Sequence, residues 1–160
     1  MRKHMHRSAK AATLASLLVA IALVAAPRWT SAMDAEVRAG VSPDDDAVSI
    51  GGGVLADVGQ GNGWYFNPNI ELAFGDSRDF VAMSGDFHYD LRNHQRTAVW
   101  VGAGPAILMT NRQFGRDDTD LGMNVLTGIG ARSGEVRPFA QLRGTMSDDS
   151  RISIAGGVRF

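Results

Sequence analysis

The sequence of 160 residues contains no cysteine, and lysine occurs only near its start. Without cysteine the fold has no disulfide bond, and no lipid can be attached to an N-terminal cysteine. Lys3 and Lys10 are the two lysines, so arginine supplies the permanent positive charge in the rest of the chain. Arginine stays charged when buried and pairs with carboxylates through two hydrogen bonds. Helical periodicity is also lacking after residue 33, which excludes a mainly helical fold.

The first 32 residues have the pattern of a secretory signal peptide. A basic start, MRKHMHRSAK, precedes the uncharged run AATLASLLVAIALVAA, and Thr30-Ser31-Ala32 supplies the small residues that a signal peptidase requires. The run is shorter than the ~20 residues of a spanning helix, so we favour cleavage after Ala32 over an uncleaved anchor. Residues 33–160 then form one domain with 11 basic and 17 acidic residues, a net charge of −6. This acidic balance argues against a nucleic-acid partner.

Eight segments of alternating apolar and polar residues follow the predicted cleavage site. Breaks rich in glycine, aspartate and asparagine separate them, a spacing typical of all-β proteins. The predicted strands are 35–42, 47–58, 63–75, 79–92, 96–110, 119–132, 136–146 and 151–160. Each has one consistently apolar face, as in the third strand, where Ile70, Leu72 and Phe74 alternate with Asn69, Glu71 and Ala73.

The composition of the second face indicates which face meets the solvent. Soluble barrels and sandwiches also alternate, so alternation alone does not decide. Here the second face combines glycines with charged residues, and this mixture suits the narrow interior of an eight-stranded barrel. The apolar face then points outward to lipid. The sequence therefore predicts an all-β, eight-stranded, antiparallel up-and-down transmembrane barrel.

Chain direction predicts how such a barrel is oriented. An N-terminus in the periplasm places the connections 43–46, 75–78, 111–118 and 147–150 outside, and the longest connection is among them. An aromatic girdle is predicted at the periplasmic rim, formed by Trp64, Phe66, Phe87, Tyr89 and Phe160. Pro68, Pro105 and Pro138 fall within predicted strands, where each missing N–H removes a ladder bond, so we expect a bulge or a strand end near each.

The predicted domain resembles the small bacterial outer-membrane β-barrel proteins of the OmpA/OmpX-like type. The segments that carry the resemblance are WYFNPNIELAF, DFHYDL, WVGAGPA, TDLGMNVLTGIGA, VRPFAQLRGT and the closing GGVRF. The resemblance implies a location in the bacterial outer membrane, in contact with its lipid. It also implies that the last strand, ending in Phe160, is similar to the signal that the barrel assembly machinery recognises. These motifs are structural, so we expect neither an enzyme nor a cofactor.

The polar face predicts a network of charges that fills the lumen. Its predicted members are Glu36, Arg38, Asp57, Glu71, Asp86, His88, Asp90, Arg132, Arg137, Arg143 and Arg159. The acids lie mainly on the first four strands and the arginines mainly on the last four, so closure of the barrel brings the two sets together. Buried charges persist only when paired, so the lumen should be plugged by arginine–carboxylate bridges. We therefore expect a structural role in the envelope and little conductance.

Three other functions remain open at this stage. One is a narrow pore for ions or very small solutes. Another is a lipid-modifying hydrolase built on Ser84, Asp86, His88 and Asp90, although same-face neighbours on one strand lie about 7 Å apart and these face the lumen. The last is a soluble periplasmic barrel that binds an apolar ligand. Acids in the outer connections favour a solvated rim over divalent-cation bridges, because no connection has EF-hand spacing.

Overall fold

A computed structural model describes residues 33–75, 79–91, 96–111, 118–148 and 150–160, and every structural statement below concerns these residues. Eight strands follow one another: β1 (Met33–Ser42), β2 (Ala47–Asp57), β3 (Trp64–Gly75), β4 (Asp79–Leu91), β5 (Thr97–Asn111), β6 (Asp118–Ala131), β7 (Arg137–Met146) and β8 (Arg151–Arg159). The predicted bounds are confirmed to within two residues at each end. The predicted signal peptide, 1–32, and most of the predicted connections 75–78 and 111–118 lie outside the described residues.

The strands form one closed barrel. Each strand pairs antiparallel with the next, and β8 pairs with β1, which confirms the predicted all-β, eight-stranded, up-and-down topology. The closing seam spans six register pairs, from Glu36–Arg159 to Val41–Ile154, against fourteen pairs between β5 and β6. A short 3-10 helix, Pro43–Asp45, joins β1 to β2. No helix in the described part of the chain is long and apolar enough to cross a membrane.

We name the two ends of the barrel from the chain itself. The end that carries Met33 and Phe160 is the terminal end, and the end that carries the β1–β2 connection is the distal end. Strand β6 shows the side-chain alternation that holds all around the barrel: Met123 and Val125 are about half exposed, whereas Asn124 and Leu126 are buried. The apolar face predicted from the sequence therefore points outward.

The bulges predicted at Pro68 and Pro105 are wrong. Strands β2 and β3 keep one register across Pro68, and β4 and β5 keep one register across Pro105, so no residue is inserted at either site. Each proline still pairs with the strand on its other side, Pro68 with Gly85 and Pro105 with Met123. The ladder is thus interrupted on one side only. Pro138 is the second residue of β7, where the expected strand end is found.

Two apolar clusters occupy the lumen, one toward each end. The distal cluster consists of Ala47, Ala73, Phe80, Ala82 and Leu108. The cluster toward the terminal end consists of Ala98, Trp100, Leu126 and Phe139. Between them the inward side chains are polar and charged, and that middle layer is the candidate functional site.

Candidate functional site

Glu36 on β1 joins the two strands of the closing seam. One of its carboxylate oxygens accepts a hydrogen bond from Arg38 Nη2, and the other accepts one from Arg159 Nε at 2.9 Å. Glu36 and Arg159 are register partners on β1 and β8, so this ion pair crosses the seam directly. All three residues are buried. A single carboxylate therefore neutralises a neighbour on its own strand and closes the barrel.

The hydrogen-bonded chain continues from Arg38 into β3 and β4. Arg38 Nη2 also donates to Asn67 Oδ1 at 2.9 Å. Asn69 Nδ2 lies 3.2 Å from the same Asn67 oxygen and donates to Asp86 Oδ2 at 3.1 Å. Asn67 and Asp86 are completely buried, so these amides connect two charged groups in the absence of bulk water.

Asp86 is the point at which β4, β6 and β7 meet. Its Oδ2 accepts from Arg143 Nη2 at 3.0 Å, and its Oδ1 accepts from Asn124 Nδ2 at 2.8 Å. Arg143 Nη1 lies 3.4 Å from Glu71 Oε2, and Thr145 Oγ1 donates to Asn124 Oδ1 at 2.8 Å. One continuous network therefore links six strands through bonds between side chains.

Three carboxylates and three guanidinium groups balance the charge of this network. The carboxylates are Glu36, Glu71 and Asp86, and the guanidinium groups are Arg38, Arg143 and Arg159. Each arginine pairs with an acid on its own or another strand, and each acid accepts from at least one arginine. Buried charges are tolerated only when paired in this way. The middle of the lumen is thus neutral and cross-linked.

Glycines on neighbouring strands make room for the bulky lumen side chains. A Cβ atom at Gly128 would lie 2.3 Å from Trp100 Cζ2, and one at Gly53 would lie 2.8 Å from the Cβ of Asn69. Both distances are impossible contacts, so alanine does not fit at either position without a shift of its neighbour. The inward glycines therefore define the space that the network and the aromatic cluster fill.

His88 belongs to an aromatic stack and not to the ion-pair network. Its ring is parallel to that of Trp100, with the centroids 6.2 Å apart. The Arg159 guanidinium carbon lies 4.5 Å from the Trp100 ring and 4.5 Å from the Phe139 ring. Cation–π contact thus adds to the Glu36 pairing of Arg159. No role was predicted for Trp100 or Phe139 from the sequence. The signal that could have indicated an inward Trp100 is Gly128, the glycine that faces it on β6.

The hydrolase grouping is not assembled in the described structure. Ser84 Oγ accepts a hydrogen bond from Asn124 Nδ2 at 3.0 Å, and Asp86 is engaged by Arg143 and Asn124. His88 stacks on Trp100 and makes no hydrogen bond to Ser84 or Asp86. A nucleophile, a base and an orienting carboxylate that are not bonded to one another lack the geometry that acyl transfer needs.

Four predicted network residues lie apart from the middle layer. Asp57 accepts hydrogen bonds from the backbone N–H groups of Gly59 and Gly61, at 2.9 and 3.0 Å, and so caps the β2–β3 turn. Asp90 pairs with Arg132 at 3.0 Å, and Arg137 pairs with Asp34. These two ion pairs lie near the terminal end and are partly exposed.

The five residues predicted for an aromatic girdle all lie on the outward face: Trp64, Phe66, Phe87, Tyr89 and Phe160. Trp64 and Tyr89 form a cross-strand pair with centroids 5.0 Å apart, and Phe66 and Phe87 form a second pair at 4.9 Å. Phe160 follows the last residue of β8 and is half exposed. The aromatic surface therefore lies toward the terminal end.

No group of three or more histidine, aspartate or glutamate side chains in the described ranges is placed to hold a metal ion.

The barrel is similar to solved β-barrels, both bacterial and designed. The N-terminal β-barrel domain of Pseudomonas aeruginosa OprF gives a TM-score of 0.65 at 14% identity, over 81% of this chain and 97% of that domain. Neisserial surface protein A (NspA) gives 0.54 at 18% identity, over 79% of this chain and 90% of that one. A designed transmembrane β-barrel gives 0.51 at 14% identity, over 81% and 93%.

These similarities show the fold. OprF and NspA are bacterial outer-membrane barrels of the OmpA-like, eight-stranded type, and this chain has the same fold. No family model matches the sequence, and no curated protein matches it.

Proposed function

We propose that the protein is an integral barrel of the bacterial outer membrane, with a structural role in the envelope and a lumen closed by its ion-pair network. The observation that carries this proposal is the direction of the two faces. Leu142, Ile154 and Val125 are about half exposed on the outside, whereas Glu36 and Asp86 are buried inside. Hydrocarbon solvates such an exterior, and water does not.

The polar lumen argues against a soluble barrel that binds an apolar ligand. Such a binder needs an apolar cavity, as ligand pockets are lined mainly by apolar side chains. Here six charged side chains cross-link the middle of the lumen. The two apolar clusters on either side of them consist of buried side chains that pack against one another. The apolar area of this protein lies on the outside of the barrel.

The girdle and the last strand support a defined orientation and assembly route. Paired aromatic rings toward the terminal end suit a membrane interface. In this proposal the terminal end faces the periplasm, as the direction of the chain predicts. Strand β8 closes the barrel against β1, and the half-exposed Phe160 follows it. In this proposal that strand is the part that the barrel assembly machinery recognises.

Membrane fractionation combined with heat-modifiable migration on a detergent gel tests the location and the fold together. The protein should sediment with outer membranes and migrate faster before boiling than after it. A chain that lacks Phe160 should yield less of the fast-migrating form. Recovery in the aqueous fraction without detergent would contradict the proposal.

Planar-bilayer recording separates the closed barrel from a narrow pore. An ion that passes through the lumen has to displace a buried arginine–carboxylate pair, because Arg143 on β7 pairs across the lumen with Glu71 on β3 and Asp86 on β4. We therefore expect no large and persistently open channel. A stable conductance carried by the purified barrel would favour the pore.

A further inference from the structure

His88 lies at the boundary between the ion-pair network and the apolar cluster toward the terminal end. On β4 it is flanked by two acids of the same face, Asp86 in the network and Asp90 in the ion pair with Arg132. His88 is 2% exposed, and its ring is parallel to that of Trp100. The imidazole therefore packs on the apolar cluster while it borders the charged layer.

The His88 ring is buried without a hydrogen bond at Nε2, which has no partner among the described residues. The residue opposite on β5 is Gly102, where a Cβ atom would lie only 3.1 Å from His88 Cδ2, so the backbone packs closely against the ring. Imidazolium carries two N–H donors, and a buried donor needs an acceptor. The site therefore fits the neutral ring.

Several titratable and charged side chains face His88. They are Glu36 and Arg38 on β1, Arg159 on β8, Asp86 and Asp90 on β4, and Tyr65, the register partner of His88 on β3. Each of the three acids already accepts hydrogen bonds or ion pairs at both of its carboxylate oxygens. None of them has an oxygen left for a further cation.

A proton on His88 would disturb this balance. The network is neutral, with three carboxylates and three guanidinium groups, so an imidazolium adds one unmatched charge. Arg38 and Arg159 have the same sign as the imidazolium and would repel it. A buried charge without a partner is costly, so the protonated ring can persist only where the packing around it opens to water.

We propose that His88 is an acid-sensitive lock on the terminal half of the lumen. The neutral ring packs on Trp100 and keeps the apolar cluster closed, whereas the protonated ring leaves the stack and lets water reach Trp100. This inference rests on the proposed function, because the lock regulates the same closed lumen. Protons reach the lock from the terminal end, where the ion pairs Asp90–Arg132 and Asp34–Arg137 are partly exposed.

Tryptophan fluorescence of the protein purified from membranes in mild detergent, with acrylamide as a quencher in the water, tests the lock. Cleavage after Ala32, checked by the mass of the purified chain, leaves Trp64 and Trp100 as its tryptophans. Trp64→Phe then makes Trp100 the reporter. At about pH 7.5, above the range in which histidine takes up a proton, quenching should be weak. Below about pH 6.5 the ratio of open to closed barrels should rise by up to about tenfold for each pH unit, because one proton binds the open form alone.

Histidine variants in the same background identify the group that takes up the proton. His88→Gln is neutral at every pH, so the rise in quenching should disappear. His88→Phe also keeps a ring in the stack and should behave in the same way. His94→Gln is the matched control, because His94 is the other histidine after residue 32, and the rise should remain.

A wild-type measurement keeps the test independent of the variants, each of which must retain heat-modifiable migration. In NMR spectra the signals of the His88 ring and the Trp100 indole should change together over the same pH range. A rise in quenching that persists in His88→Gln and His88→Phe would assign the opening to the carboxylates and overturn the proposal. A membrane-inserted barrel whose Trp100 stays protected in acid would refute the lock alone, whereas a protein absent from membranes would refute the proposed function.

Discussion

Asp34 and Glu36 are two carboxylates of the same strand and the same face, yet they occupy different environments. The Asp34 side chain is 29% exposed and pairs with Arg137 near the terminal end. The Glu36 side chain is fully buried and pairs with both Arg38 and Arg159. An exposed ion pair contributes about 0–1 kcal/mol, whereas breaking a buried one costs about 3–5 kcal/mol. Both acids pair with arginine, so their position along the barrel axis decides how much each contributes to the free energy of unfolding.

A membrane should impose a similar contrast on the outer wall, between its middle and its ends. Leu142 lies in the middle of β7, and Val136 precedes the strand at the terminal end. Both are about half exposed, so their exposure alone does not distinguish them. In a membrane they differ, because the middle of the wall meets hydrocarbon and the end meets headgroups and water.

Glu36→Gln should have the largest effect, about 3–5 kcal/mol lost from the free energy of unfolding. The amide keeps the shape of the side chain but leaves Arg38 and Arg159 without their shared carboxylate at the shortest seam of the barrel. Urea titration of the protein in lipid vesicles, followed by gel mobility, measures the loss. A loss below about 1 kcal/mol would mean that the seam does not depend on this pair.

Leu142→Arg should cost about 2–4 kcal/mol when the barrel is in a bilayer, because the new charge lies at the hydrocarbon midplane. Val136→Arg is the matched control, and it should cost about 0–1 kcal/mol at the interface. The same titration in vesicles measures both. Equal costs at the two positions would contradict the proposed placement of the membrane around the middle of the wall.

Strand bounds and side-chain directions could be predicted because they depend on local alternation. In β3 and β4 successive side chains point to opposite faces, so odd-numbered residues share one face and even-numbered residues the other. The outward Phe87 and the inward Asp86 were both correctly placed. The partner of each charge could not be predicted in this way. Arg143 bonds Asp86 and Glu71, which lie on strands that are not its neighbours, and only closure of the barrel brings these groups together.

The apolar parts of the lumen were missed for a different reason. Phe80, Trp100 and Leu108 point inward although large apolar residues of a membrane barrel are expected outside. Like the charged residues, they occupy the inward positions of the alternation, but the glycines and charged residues of that face predicted a lumen filled by ion pairs. Asp57 shows the opposite case, since it shares the polar face but two turn N–H groups bind it locally. Fewer groups have to be ordered when a carboxylate binds backbone N–H groups a few residues along the chain than when it pairs with a side chain across the lumen.

Asp34→Asn should have the smallest effect, at most about 1 kcal/mol, and it completes the comparison with Glu36. Arg137 then loses its acid, but its side chain is 19% exposed and can turn to water. The wild-type contribution of this pair should also shrink as salt is raised, because dissolved ions reach a partly exposed pair and the Debye length falls from ~10 Å at 0.1 M salt to ~3 Å at 1 M. The buried Glu36 pairs should keep their contribution under the same change. Urea titrations of wild type and both variants at low and high salt measure this difference, and a salt-independent loss of several kcal/mol for Asp34→Asn would show that the terminal end is as dry as the middle.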